Sequence, residues 1–388
     1  MGIRLFLGEG MIIFDSENKT NTPIARIKVI GVGGAGGNTI NSMIDHGFEG
    51  IEFIVANTDA QALETSKAEH KIQIGLKSTK GLGAGANPEL GKRSAEEDLD
   101  KILELTANAD IVFLTGGLGG GTGSGALPVI AKALREKNIL CIAVVTKPFS
   151  FEGKRRAQIA ETALENLKKE IDTLIVVPNQ KLLDVVDENV SMIDAFGMIN
   201  GILHRSVKSI SDIISKPGHI NVDFADVRTI MKDRGLAVMG TGIAAGSNRA
   251  QKAALDAINS PLLENMSIAG AKGVLLNITG GTNLGLHEIR IAASIIHEQA
   301  DIDANIILGS VIDPVLIDEI RVTIIATGFN NPHPEVAKTK EVTNAVPRVE
   351  TKLQPQIHTE PIQPSVALDD LDVPTFMRQK KQTEHDII

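Results

Sequence analysis

The 388-residue chain has no tryptophan, no tyrosine and only 11 phenylalanines. Apolar residues still make up 43% of it, enough for sizeable cores, so those cores must be built from Ile, Val, Leu and Ala. A single cysteine, Cys141, excludes an intramolecular disulfide. It lies in the strand-like run Ile139–Val145, which predicts a buried, unreactive thiol and fits a reducing compartment. Excess positive charge is also missing: a net charge of −9 argues against non-specific nucleic-acid binding, which rests on Lys and Arg neutralising phosphates. No apolar run approaches the ~18 residues of a membrane-spanning helix. Near the start, Arg4 precedes Leu5-Phe6-Leu7 and Met11-Ile12-Ile13-Phe14, but Gly8-Glu9-Gly10 interrupts them and no small-residue cleavage site follows. Residues 1–23 therefore read as a loose N-terminal extension, with Met11 as an alternative start.

A P-loop is absent as well. Both Gly-Lys pairs, Gly91-Lys92 and Gly153-Lys154, are followed by Arg rather than Ser or Thr. What the chain has instead is Gly116 to Gly125, GGLGGGTGSG, with seven glycines in ten positions. An apolar run, Ile111–Leu114, precedes it and a helix-like segment, Ala126–Lys137, follows it. Such a loop brings backbone N–H groups close to a ligand, and the helix N-terminus adds about half a positive charge. This predicts a phosphate cradle.

From Ile24 onward, strand, glycine loop and helix alternate. Strands are expected at Ala25–Ile30, Ile51–Ala56, Ile72–Ile74, Ile111–Leu114, Ile139–Val145 and Leu174–Val177, with helices from about Gly31 to His46 and over Pro88–Leu105, Ala126–Lys137 and Ala157–Lys169. That alternation predicts a parallel sheet covered on both faces. A long helix follows, with apolar residues at Met192, Phe196, Ile199, Leu203, Val207, Ile210 and Ile214. Ser191 and Asp194 form its start signal and Lys216-Pro217-Gly218 its stop. Four more strands, near Ala237–Ala244, Gly273–Ile278, Ile306–Ile312 and Val322–Thr327, with helices at Arg249–Asn259 and Leu286–Ala300, predict a smaller α+β domain on a mixed sheet. Residues 331–388 hold seven of the 15 prolines and none of the 37 glycines, a composition expected to stay disordered. As a coil, ~35 such residues span roughly 30 Å.

Gly31-x-Gly33-x-x-Gly36, with Asp59 about 20 residues beyond the first glycine loop, also fits a dinucleotide-binding Rossmann fingerprint and hence an NAD(P)-dependent enzyme. That reading leaves the second glycine loop unexplained. Two loops at the ends of parallel strands suggest two walls of one phosphate site.

The GGLGGGTGSG string resembles the signature loop of tubulin and of the FtsZ family, its bacterial relatives. Several other segments resemble FtsZ in the same order: Gly31–Asn38, Gly81–Pro88, Thr146–Arg156, Val177–Leu182, Asn221–Arg228 and Leu371–Arg378 with Lys380 and Lys381. The resemblance covers about Ile24 to Phe329 and resumes at Leu368–Lys381. It implies an α/β fold: a Rossmann-like GTP-binding domain (24–190), a central helix (191–218), an α+β activating domain (219–330), a disordered linker (331–366) and a partner-binding peptide (367–388).

The resemblance implies a GTPase that binds GTP and GDP, with Mg²⁺ carried by the nucleotide. GTP would contact Gly33, Gly34, Ala35, Gly36, Gly37 and Asn38 from the first loop, and Ala84 and Gly85 from the next. It would contact Gly117, Gly119, Gly120, Gly121, Thr122 and Gly123 from the signature loop. Glu152 would bind the ribose, Arg156 would lie against sugar and phosphate, Asn179 would bind guanine and Phe196 would stack on it. Asp223 and Asp226, with Asn221, would form a catalytic loop that completes the site of the next subunit in a head-to-tail filament. On residue chemistry alone the same stretch reads as a helix N-terminus, with Asn as the cap and Asp in the first turn, and Phe196 fits the apolar stripe of its helix.

The tail resembles a peptide that docks membrane-tethering and regulatory division proteins through Leu371, Val373, Pro374, Phe376, Met377 and Arg378. The expected setting is the cytoplasm at the mid-cell division site, without direct membrane insertion. A filament that binds GTP but hardly hydrolyses it is the structural alternative. One departure stands out. Where the family has an Asp that accepts bonds from guanine, this chain has Gly201, which predicts weakened guanine discrimination.

Overall fold

The computed structural model describes residues 6–7, 10–11, 25–48, 50–183, 190–216, 218–220, 222–263 and 268–329. Asn221, the 331–366 linker and the 367–388 peptide lie outside the described residues. Among the described residues, eleven strands form one sheet: β1 (Ile27–Val32), β2 (Ile51–Asn57), β3 (His70–Gln73), β4 (Ile111–Gly117), β5 (Leu140–Lys147), β6 (Thr173–Pro178), β7 (Gly218–Ile220), β8 (Gly235–Ala245), β9 (Gly273–Gly280), β10 (Asn305–Ile312) and β11 (Glu319–Thr327). The first six are all parallel in the order β3-β2-β1-β4-β5-β6, which is the Rossmann order. Successive residues of these strands feed opposite cores. Ile27, Val29, Ile111 and Phe113 pack on one face, and Ile30, Val32, Val112 and Leu114 on the other.

The sheet does not stop at the long helix. β6 pairs in parallel with β8 through Thr173↔Gly235, Leu174↔Leu236 and Ile175↔Ala237, and the order continues β8-β11-β9-β10-β7. β11 is antiparallel to both neighbours, so this half is mixed, as its sequence predicts. Two features escaped the sequence reading. β7 is a three-residue strand on the edge of β10, and Phe6–Leu7 pairs antiparallel with Gly10–Met11 where loose chain was expected.

Helices of eight residues or more, labelled in chain order, are α1 (Gly33–Asp45), α2 (Pro88–Glu97), α3 (Leu99–Thr106), α4 (Thr122–Glu136), α5 (Lys154–Glu170), α6 (Met192–Ser215), α7 (Phe224–Met231), α8 (Arg249–Ile258) and α9 (Leu286–Gln299). The single helix expected over Pro88–Leu105 is two. Asp98 leaves helical geometry at the join, where its carboxylate accepts the Gly75 N–H at 2.8 Å and pairs with Lys101 at 2.6 Å. Ser191 caps α6 as predicted, its hydroxyl accepting the Asp194 N–H at 3.1 Å. Cys141 is fully buried, and burial pushes its thiol well above the usual range.

Candidate nucleotide site

A cleft of about 480 Å³ opens where β1, β4 and β5 end, between the starts of α1 and α4 and the first turns of α6. Both α1 and α4 begin without a side-chain cap and without an acid in the first turn. The first four N–H groups of a helix have no partner inside it, so two sets of unclaimed donors converge on this space. By contrast, Asp59, Asn87, Ser191 and Asp223 each cap their helix with a side-chain oxygen. Leaving these two starts open suits a ligand that brings its own negative oxygens.

The signature glycines act less through loop freedom than the sequence suggests. β4 runs through Gly117 and α4 starts at Thr122, so only Leu118–Gly121 is loop. Of the seven glycines only Gly119 has a positive φ, +99°. Most of the others are there because something lies against them. A Cβ on Gly117 would sit 2.8 Å from the Ala35 Cβ, on Gly121 2.8 Å from both Ala84 Cβ and Asn87 N, on Gly123 2.5 Å from Gly117 O, and on Gly125 2.0 Å from Pro88 O. Gly120 alone faces open space, toward the cleft.

Gly33, Gly34, Ala35, Asn38, Gly117, Gly120, Gly121, Thr122, Gly123, Glu152, Arg156, Asn179 and Phe196 all line this one cleft. The remaining predicted contacts do not. Gly36 packs under β4, where a Cβ would meet Thr115 O at 2.7 Å, and Gly37 faces Val55. Gly119 is wedged against Arg156 O and Pro148, and Ala84 lies behind Gly121. Gly85 adopts a left-handed turn outside the cleft lining. Glu152 pairs with Arg156 one helical turn on, and it also accepts the Phe149 N–H at 2.9 Å. Asn179 is buried, yet its carboxamide oxygen has no partner, so an acceptor is left over beside the cleft. Phe196 is 41% exposed and meets Phe149 edge-on at 5.7 Å; Met192 and Phe196 stand clear of the core on which the rest of their stripe packs.

Thr39, Thr146 and Asn200 also line the cleft and were missed. Thr39 and Asn200 each lie one helical turn beyond a predicted residue, Ala35 and Phe196, a spacing that could have found them. The Thr39 hydroxyl donates to Asn200 Oδ1 at 3.2 Å, joining α1 to α6 across the cleft. Gly201 is outside the lining, and a Cβ there would sit 3.3 Å from an Arg205 guanidinium nitrogen.

Asp223 and Asp226 are elsewhere. Asp223, not Asn221, caps α7, its Oδ1 accepting the Asp226 N–H at 2.8 Å. Both carboxylates are exposed, and the capping reading of this stretch holds in that amended form. Downstream of them in α7, the Arg228 guanidinium donates to Asn138 O at 3.2 Å, just ahead of Leu140 where β5 begins. The cleft lies at the other end of β5, beside Thr146, and seven strand steps separate those ends by roughly 23 Å. Asp59, the ribose-binding candidate of the dinucleotide reading, caps a short helix and does not line the cleft.

A Rossmann-ordered parallel half with two uncapped helix starts at its carboxyl edge, continued into a mixed half of the same sheet, defines a class of nucleotide-binding α/β proteins. The description "Tubulin/FtsZ family, GTPase domain" matches residues 26–187, and "FtsZ family, C-terminal domain" matches residues 235–330. An empty FtsZ dimer from M. jannaschii is similar at 43% identity, covering 78% of this chain and 88% of that one with a TM-score of 0.74. GDP-bound monomeric CetZ1 from Haloferax volcanii shares the fold at 24% identity and a TM-score of 0.70, covering 79% and 95% of the two chains. CetZ2 from the same organism, solved as a GTPγS-bound protofilament, does so at 21% and 0.65, covering 78% and 92%. The chain belongs to the Tubulin/FtsZ family of GTPases.

Proposed function

We propose that this GTPase polymerises head to tail and hydrolyses GTP only where one subunit's Asp223 and Asp226 meet the next subunit's nucleotide. One observation carries the reading: the open-ended cradle and the acid pair lie at opposite ends of the sheet. Phosphoryl transfer depends on positioning and charge stabilisation, and one subunit cannot bring carboxylates from beside one end of a strand roughly 23 Å long to phosphates at its other end. A contact between unlike ends is heterologous and open, so it generates a filament. The FtsZ dimer at 43% identity supports self-association. The unpaired Asn179 oxygen and half-exposed Phe196 suit a purine base, while Glu152 and Arg156 suit ribose and phosphate. Mg²⁺ would arrive on the phosphates and offset their charge. In the cell the filament would form the cytokinetic ring at mid-cell, in the cytoplasm, tethered to the membrane by partner proteins that grip the 367–388 peptide.

Turnover per molecule should be near zero at low protein concentration and rise past a threshold, measured as phosphate release across a dilution series. A rate per molecule that ignores concentration would falsify the shared site. A filament that binds GTP and barely turns it over would give assembly past the threshold with flat phosphate release.

Gly201 bears on base choice. Unpaired guanine donors cost about 1–3 kcal/mol if they are buried and no water replaces the missing carboxylate, so discrimination against ATP and ITP should be weak. Gly201→Asp should sharpen the GTP preference in competition assays, by about fivefold to a hundredfold for that energy range. The nearby Arg205 guanidinium can pair with the new carboxylate and hold it. No change in preference would mean that position 201 does not face the base.

A further inference from the structure

The helix that carries Asp226 is bolted down at its far end. The Met231 carbonyl accepts the Thr173 hydroxyl of β6, and the Ile230 carbonyl accepts the Thr327 hydroxyl at 2.9 Å. Asp172, itself buried, accepts the Arg234 and Gly235 N–H groups on its carbonyl at 2.9 Å and the Cys141 N–H on its carboxylate at 2.9 Å. Between these anchors sits Asp233, with φ at +55°. A glycine would adopt that turn without strain, whereas an Asp is only tolerated there. Its carboxylate is in use: it pairs with Arg135, in the last turn of α4, whose other terminal nitrogen donates to Lys169 O at 3.2 Å.

We propose that Arg135 is a positioning residue for Asp226. Through Asp233 it ties the end of α7 to α4 and fixes the angle at which Asp226 meets the neighbouring nucleotide, a role that rests on the interface reading above. An ion pair this exposed adds little to stability. Reaction rate is far more sensitive to placement, since a shift of about 1 Å can cost a hundredfold. The pair should therefore show in turnover and not in folding.

The test is a double-mutant cycle on the full chain, read as phosphate release per assembled subunit after sedimentation. Asp233→Asn keeps a residue suited to the left-handed turn and removes the charge; Arg135→Met removes the cation and keeps most of the stem. Each should lower turnover about fivefold, leave GTP binding and the melting temperature unchanged, and combine with no further loss. Arg135→Lys should restore most of the rate. Independent, multiplying losses would overturn the proposal, as would unaltered turnover in either single variant. Should Asp233→Asn lower the melting temperature, Arg135→Met against Arg135→Lys decides by itself. The interface reading is scored separately by the wild-type dilution series: a threshold there with no effect of Asp233→Asn or Arg135→Met sinks only the clamp.

Discussion

Asp226→Ala should lose about a hundredfold or more in GTP turnover while binding GTP and assembling like the unaltered protein. The substitution is chosen over Asp223→Ala for a structural reason. Asp223 caps α7 by accepting the Asp226 N–H, and losing such a cap costs about 0.5–2 kcal/mol, which would blur the readout. The Asp226 side chain is exposed and only its backbone serves the cap, so alanine leaves the helix intact. Filter binding with GTP, sedimentation and phosphate release on the same preparation separate the three properties. Nucleotide affinity falling together with turnover would place Asp226 in the subunit's own cleft and contradict the roughly 23 Å between the two ends of β5.

Gly121→Val should do the reverse and cost about fivefold to a hundredfold in nucleotide affinity, since overpacking against fixed structure typically costs roughly 1–3 kcal/mol. The first added carbon already meets Ala84 Cβ and Asn87 N at 2.8 Å and Ala84 O at 3.0 Å, and neither backbone atom can swing away. The strain must displace the loop that starts α4, and with it the open N–H groups of the cradle. Gly120→Ala is the control, because a Cβ there meets nothing within 4 Å. Equal GTP affinity for Gly121→Val and the unaltered chain would mean that the loop does not hold the phosphates.

Much of this was readable in the chain, and the misses have physical causes. Strand-to-helix periodicity placed every strand of the parallel half to within a few residues, because most are buried on both faces and read as short apolar runs; His70–Gln73, on the sheet edge, is only partly buried. β7 left no such trace, being three residues on a sheet edge. The split at Asp98 is a tertiary effect, drawn by the distant Gly75 N–H. In the cleft, Asn38, Thr122 and Asn179 were found through the motif strings that carry them, whereas Thr39, Thr146 and Asn200, of the same two residue types, were not, because residue type alone does not mark a lining position. The glycines were found for a partly wrong reason, since loop flexibility leaves the same letters in a sequence as close backbone packing does.

The join between β6 and β8 has a mechanical consequence. Three residue pairs hold the two halves of the sheet together there, against six or more in every other interior ladder. A sheet with one short ladder has a tear line, and proteins open locally where the fewest bonds must break at once. Amide exchange at that ladder should outpace exchange in the long ladders on both sides. In the proposed filament, a pull along its length or a bend would open that line first inside each subunit, with the parallel half and the mixed half each still folded.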